Sequence, residues 1–217
     1  FENVELNGPE NTYLHLRGSF GTVTVKGEKN NLYLDSGEIN TLVIDETATN
    51  STTKIEERAY VSEAIIDVTT TINGDGDIGQ ATINADGVKI SMLPDSIILR
   101  PGATATINGK KMTSKDAEEA SSFPRILSRY PKEDIIESTK ATFLVKTNKP
   151  GRIYWAVTES EKDSVTEDEL RNPKKNVDIL KSGTVSVAES NKEYTITVTG
   201  LTKDAEYTLT AALVDDR

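Results

Sequence analysis

Histidine occurs once in this 217-residue chain, at His15, and cysteine does not occur. Serine-protease chemistry therefore has a single imidazole to draw on. A zinc centre made of several imidazoles or thiolates cannot be assembled. His15 lies in the burst Tyr13-Leu14-His15-Leu16, where alternation turns it away from Leu14 and Leu16 and toward solvent. Acids offer a second chemistry. Asp35, Asp45, Asp67 and Asp86 stand at or near the ends of strand-like bursts. Parallel β-helix enzymes that cut polysaccharides place paired acids on one face of the coil. These four do not recur at a constant offset, so no acid pair is expected. Asn73-Gly74-Asp75-Gly76-Asp77 spaces carboxylates as calcium loops do. It fails the EF-hand pattern, because Ile78 stands where that pattern needs glycine and Asn84 where it needs the bidentate Glu. A glycine-rich corner is the simpler expectation. Tyr154 and Trp155 are neighbours on one run and face opposite sides, one toward a core and one toward the surface. No catalytic, cofactor-binding or metal-ligating residue is assigned, and no cofactor is expected.

The elements that would position these residues are short. Apolar and polar side chains alternate in Tyr13–Leu16, Thr22–Val25, Leu32–Leu34 and Leu42–Ile44, with Gly, Asn, Asp or Ser between the bursts. Leu14, Val23 and Leu32 are nine residues apart, and Leu42 follows after ten. Thr71-Ile72-Asn73-Gly74-Asp75-Gly76 returns as Thr82-Ile83-Asn84-Ala85-Asp86-Gly87, with a shorter echo at Thr106–Gly109. Each burst has too few inward residues to anchor an isolated hairpin, whereas stacked coils bury them in one column. A β-solenoid is therefore preferred to a meander or a sandwich. Glu56, Glu57 and Arg58 interrupt the pattern, so a longer loop or irregular corner is expected between Thr47 and Ala64.

Thr113-Ser114-Lys115-Asp116 reads as a helix start, and Ala117–Ala120 can continue it. Pro124 and Pro131 then rule out one long helix. Longer strands follow. Ala141–Lys146 and Arg152–Thr158 flank Asn148-Lys149-Pro150-Gly151 and are expected to pair as a hairpin. A polar insertion, Glu159–Asn176, carries one helical turn at Thr166–Leu170 with acids at its positive end. Strands at Thr184–Val187, Tyr194–Thr199 and Tyr207–Val214 complete an antiparallel set. The expected organisation is a solenoid over 1–111, a connector with a short helix and the first sandwich strand over 112–140, and a β-sandwich over 141–217.

Net charge is -10 with pI near 4.8, and the acids are dispersed along the chain. Phosphate binding needs clustered Lys and Arg, so a nucleic-acid partner is not expected. No apolar run is long enough to span a bilayer, and membrane insertion is not expected. The chain starts at Phe1 without signal-peptide regions, which suits a mature chain or an excised fragment. The lack of cysteine suits an exported protein. Glu159–Asp163 and Asp215-Asp216 are expected to be solvated faces.

Gly200-Leu201-Thr202-Lys203-Asp204-Ala205-Glu206-Tyr207-Thr208-Leu209-Thr210-Ala211 resembles the end of a fibronectin type III module, where a Leu and a strand-opening Tyr make a corner. The likeness covers Pro124–Arg217, with an atypical insertion and no counterpart of the last strand. Asn31–Leu34, Gly37–Leu42 and Gly76–Val88 resemble repeat regions beside S-layer homology domains in surface proteins of Gram-positive bacteria. That resemblance implies export and surface display at the cell wall, with wall glycans or surface proteins as partners. It carries over no binding residue. The expected function is a non-catalytic structural or adhesive module of a bacterial cell-surface or S-layer-associated protein. The alternatives are a carbohydrate-active β-helix enzyme fragment, which needs convergent acids, and a carbohydrate-binding module, which needs Tyr13, Tyr33 and Tyr60 on one face.

Overall fold

The structure is a computed structural model that describes residues 1–159 and 165–214. The chain divides into two compact units, Phe1–Phe123 and Pro124–Arg217.

In the first unit, β1 (Asn3–Leu6), β2 (Tyr13–Val25), β3 (Asn31–Ile44), β4 (Thr52–Ile55), β5 (Ala59–Ile66), β6 (Thr71–Gly74), β7 (Asp77–Ile83), β8 (Val88–Ile90), β9 (Ser96–Leu99) and β10 (Thr104–Ile107) stack in parallel. The chain winds as a β-solenoid. One row of rungs runs from the start of β2 through β3, β4, β6 and β8 to β10; another runs from β1 through the ends of β2 and β3 to β5, β7 and β9. Leu14 pairs with Leu32 at an offset of 18 residues. Later coils advance by 21 from Leu32 to Thr53 and by 17 from Ile90 to Ile107. The nine-residue spacing in the sequence is therefore half a coil, the step from one row of rungs to the other. The two copies of Thr-Ile-Asn in β6 and β7 lie on different rows, whereas the echo at Thr106-Ile107 stacks over Thr71-Ile72 through β8.

Alternation turns every second residue inward, and stacking aligns them. Val25, Ile44, Ile66, Ile83 and Leu99 form one buried column; Phe20, Ile39, Val61 and Ile78 form another at a corner. Each such side chain contributes roughly 1.5–3 kcal/mol by burial. Glu56–Arg58 is a tight corner, closed by the Ala59 amide donating to the Glu56 carbonyl at 2.8 Å. The extra residues widen that coil without breaking the ladder on either side.

The last coil is closed twice. β11 (Lys110–Thr113) folds back antiparallel on β10. Helix α1 (Ser114–Ser122) then starts at Thr113, whose hydroxyl and amide engage Asp116 in a capping box, as the sequence leads one to expect. Ala117 of α1 is fully buried in the solenoid core. Ser121 Oγ accepts the Ile97 amide at 2.9 Å, which occupies a donor on the outer edge of β9. The helix expected in a connector thus belongs to the solenoid unit.

The second unit contains β12 (Lys132–Ile136), β13 (Lys140–Lys146), β14 (Gly151–Glu159), α2 (Glu167–Arg171), β15 (Lys181–Val187), β16 (Glu193–Thr199) and β17 (Tyr207–Val214). They form two antiparallel sheets, β12-β13-β16 and β15-β14-β17. Val145, Ile196 and Val198 from one and Ile153, Trp155, Val187 and Leu213 from the other share one core. The expected hairpin between β13 and β14 is not formed. β13 pairs with β12 and β16, and β14 with β15 and β17, so residues 147–150 bridge from sheet to sheet. Crossing over lets Val145 and Ile153 both point into the shared core, and Pro150 has no amide to give a hairpin ladder.

Candidate functional site

On the outside of the first row of rungs, His15 Nδ1 meets Asp35 Oδ1 at 3.0 Å, and Arg17 Nε donates to Asp35 Oδ2 at 3.1 Å. The His15 side chain points outward, as alternation requires, and is 58% exposed. Its ring stacks on Tyr33 with centroids 4.5 Å apart and planes 12° apart. Tyr13 stands 6.2 Å from Tyr33 at a 33° tilt. The hydrogen bond from His15, with that from Arg17 behind it, holds the Asp35 carboxyl below its ordinary value. Tyr60 is elsewhere in the coil, opposite Glu38 and Asp77. The three tyrosines do not share a face. His15 and Tyr33 spend their ring faces on each other, whereas a sugar platform presents faces side by side to solvent.

The other three strand-end aspartates are each engaged, Asp45 within its own turn and Asp67 and Asp86 across coils. Asp45 Oδ1 accepts the Thr47 amide at 3.0 Å and its hydroxyl at 2.6 Å. Asp86 Oδ1 accepts the Thr104 amide at 2.7 Å and its hydroxyl at 2.8 Å. Asp67 Oδ1 accepts the Asn84 side-chain amide at 2.7 Å. The Thr47 bonds pull the Asp45 carboxyl below its ordinary value, and the Thr104 bonds do the same to Asp86. Ile44 pairs with Ile66, so Asp45 and Asp67 occupy equivalent rungs of adjacent coils, contrary to the expectation from sequence offsets. Lys26, Asp45, Asp67, Asn84 and Arg100 continue one another in this column, each amide donating to the strand end one coil earlier. The signal in the sequence is the residue directly after Val25, Ile44, Ile66, Ile83 and Leu99; variable coil length hides it. Asp35 and Asp86 lie off this column.

Asn73–Asp77 forms the corner between β6 and β7. Gly74 has φ +112°, and a Cβ there would fall on the Ile55 carbonyl oxygen; one on Gly76 would meet the Glu56 carbonyl. The glycines let this corner lie directly on the coil beneath. Among the described residues, no three His, Asp or Glu side chains gather as a metal site would require.

In the second unit, Trp155 is in the core and Tyr154 is on the opposite side. Tyr154 packs with Val165 and Leu170 of the insertion and with Ile179 just beyond it, and the Arg171 guanidinium lies 5.9 Å from the ring centroid. Thr166 and Glu169 cap α2 reciprocally, and Glu167, Asp168 and Glu169 stand at its positive end. Residues 160–163 and 215–216, expected as solvated faces, lie outside the described residues. Tyr207 Oη accepts the Thr202 amide at 2.9 Å and thereby closes a corner between β16 and β17. Beside it is an open cleft of about 510 Å³, lined by Phe143, Val198, Leu201, Tyr207 and Leu209, with Ile136 at its mouth and Glu133, Glu137 and Asp204 around it. The corner motif Gly200–Ala211 supplies one wall of this cleft, and the rest comes from strands far apart in the chain that no single motif marks.

No family model matches this chain, and no curated protein matches it. Among solved structures, chitinase ChiW from Paenibacillus sp. strain FPU-7, described as a cell-surface-expressed multi-modular enzyme machinery, aligns with 99% of this chain and 18% of its own. Identity is 15% and the TM-score 0.44, a likeness on which nothing below rests. Among the described residues, no helix is long and apolar enough to cross a membrane.

Proposed function

We propose that this chain is a non-catalytic structural or adhesive module of a bacterial cell-surface or S-layer-associated protein, displayed at the cell wall. The observation that carries the proposal is the use made of the acids. Asp35, Asp45, Asp67 and Asp86 are the strand-end acids on which polysaccharide cutting would have to draw, and each is instead held within the solenoid by a bond of 3.0 Å or less. A column of buried Ile, Leu and Val under such braces makes a stiff spacer. The second unit supports the same proposal. Sheets of order β12-β13-β16 and β15-β14-β17, with Tyr207 bonded back to Thr202, suit a fibronectin type III-like sandwich. Wall glycans or surface proteins are the partners such a module would meet.

One competitor has an observation in its favour. A carbohydrate-active enzyme fragment could draw on Asp45 and Asp67, which stand on adjacent rungs. The engagement of Asp45 with Thr47 and of Asp67 with Asn84 favours bracing over catalysis. Antibodies against the purified chain, applied to intact and to lysed cells that make it, test the display. Labelling of intact cells is expected. Labelling that requires lysis would contradict surface display.

A further inference from the structure

The outward residues of the first row of rungs stack as regularly as the inward ones. Asn31, Thr52, Thr71, Lys89, Thr106 and Lys111 stand in cross-strand register from β3 to β11. Tyr33, Lys54 and Asn73 form a second column beside them. These two columns hold lysines and no acid, in a chain with 35 acids against 25 Lys and Arg. The outer face of the second row differs. Thr24, Val43, Ile65, Thr82 and Ile98 share it with Glu63, and no lysine stands among them. The lysines of the first row have different neighbours. Lys54 Nζ pairs with Glu56 at 2.6 Å. Lys89 and Lys111 are exposed and, among the described residues, neither makes an ion pair. Asp86 lies within electrostatic reach of Lys111 but keeps its bonds to Thr104.

The lysines recur on every second rung, in β4, β8 and β11. With rungs about 4.8 Å apart, the backbones of Lys89 and Lys111 stand roughly 10 Å from each other. That is close to the length of one disaccharide in an extended glycan. Thr71 and Thr106 flank Lys89 with hydroxyls, which can donate to and accept from sugar hydroxyls. Nucleic acid is a worse match. A duplex carries one charge per about 1.7 Å of its axis, far denser than the lysines. Single strands stack their bases on free rings, whereas His15 and Tyr33 stack on each other. An acidic peptide would add to a sheet edge through its backbone, and β8 and β10 are each paired on both sides.

We infer that the Lys89–Lys111 end of this face binds an extended glycan bearing one carboxylate per disaccharide. The site deepens the surface-module reading and rests on it for the source of the glycan. The two fail separately, because glycan binding is read on the purified chain and display on intact cells. The test is titration calorimetry of the full chain with three probes. The first is a hyaluronan oligosaccharide, in which glucuronate alternates with N-acetylglucosamine. The others are an uncharged chitin oligosaccharide of the same length and a single-stranded DNA with the same number of charges. Hyaluronan is expected to bind at least about tenfold more tightly than either, and to weaken as salt is added. Lys89→Gln with Lys111→Gln is expected to lower that affinity at least about tenfold. Lys89→Arg with Lys111→Arg, which keeps the charge, should retain it, as should Lys174→Gln with Lys203→Gln in the second unit. Chitin binding as tightly would mean that the carboxylate is not read, and DNA binding as tightly would mean unselective attraction of polyanions. Either result, no binding of hyaluronan, indifference to salt, or full affinity in the glutamine pair at Lys89 and Lys111 would overturn the proposal.

Discussion

Asp86 accepts from both the amide and the hydroxyl of Thr104 one coil away, and Asp45 does the same with Thr47 within its own turn. These bonds hold the Asp45 and Asp86 carboxyls below their ordinary values, as the hydrogen bond from His15 does for Asp35 and that from the Thr113 amide for Asp116. A depressed folded value contributes stability above the unfolded pKa of about 3.9, and that stability is lost as pH falls through the folded value. Lys26, Lys29 and Lys54 are raised, chiefly by hydrogen bonds to Glu5, Glu10 and Glu56. Their contribution is present below about pH 10.4 and lost as pH rises through the folded values. Thermal melts across pH should therefore show a plateau at neutrality and a fall on each side. Asp86→Ala should lower Tm at neutral pH, with the deficit shrinking below about pH 4 as the wild-type carboxylate protonates. A deficit that stays constant into acid would show that the Thr104 bonds do not need the charge. Tyr207→Phe removes the acceptor of the Thr202 amide, and faster exchange of that amide is the expected result. The outward direction of His15 was readable from alternation alone. Its partner Asp35 was not, because meeting it depends on coil register, which varies between 16 and 22 residues.

At the scale of elements, the alternating bursts and both α-helices follow from local pattern, with Thr-x-x-Asp and Thr-x-x-Glu as the capping boxes, whereas short strands such as β1, β4 and β9 do not stand out in it. What local pattern does not carry is which strand pairs with which. A nine-residue spacing fits a meander or half a coil equally, and only stacking decides. Likewise Asn148–Gly151 looks like a hairpin turn, yet β13 and β14 enter different sheets because both have a core side to bury. The stacked columns make sharp predictions. Ile72→Ala, at a fully buried position between Thr53 and Ile90, should cost about 2–5 kcal/mol in urea denaturation. Gly74→Val combines φ +112° with a collision on the Ile55 carbonyl and should cost more than about 1 kcal/mol. A neutral Gly74→Val would mean that the corner does not lie on the coil beneath.

The whole molecule is two units that meet in sequence between Phe123 and Pro124. Because α1 places Ala117 in the solenoid core and Ser121 on the β9 edge, a fragment of residues 1–123 should melt cooperatively and well above one of residues 1–111. Equal melting of the two fragments would remove α1 from the cap. The strand-edge acids define the central claim, since the same carboxylates would serve either a brace or a polysaccharide-cutting site. The most direct measurement is release of reducing ends and unsaturated uronides from a panel of plant and bacterial polysaccharides, with and without calcium. No release above a boiled control is expected from a structural module. Release that disappears in Asp45→Asn or Asp67→Asn would contradict it and make this column an active site.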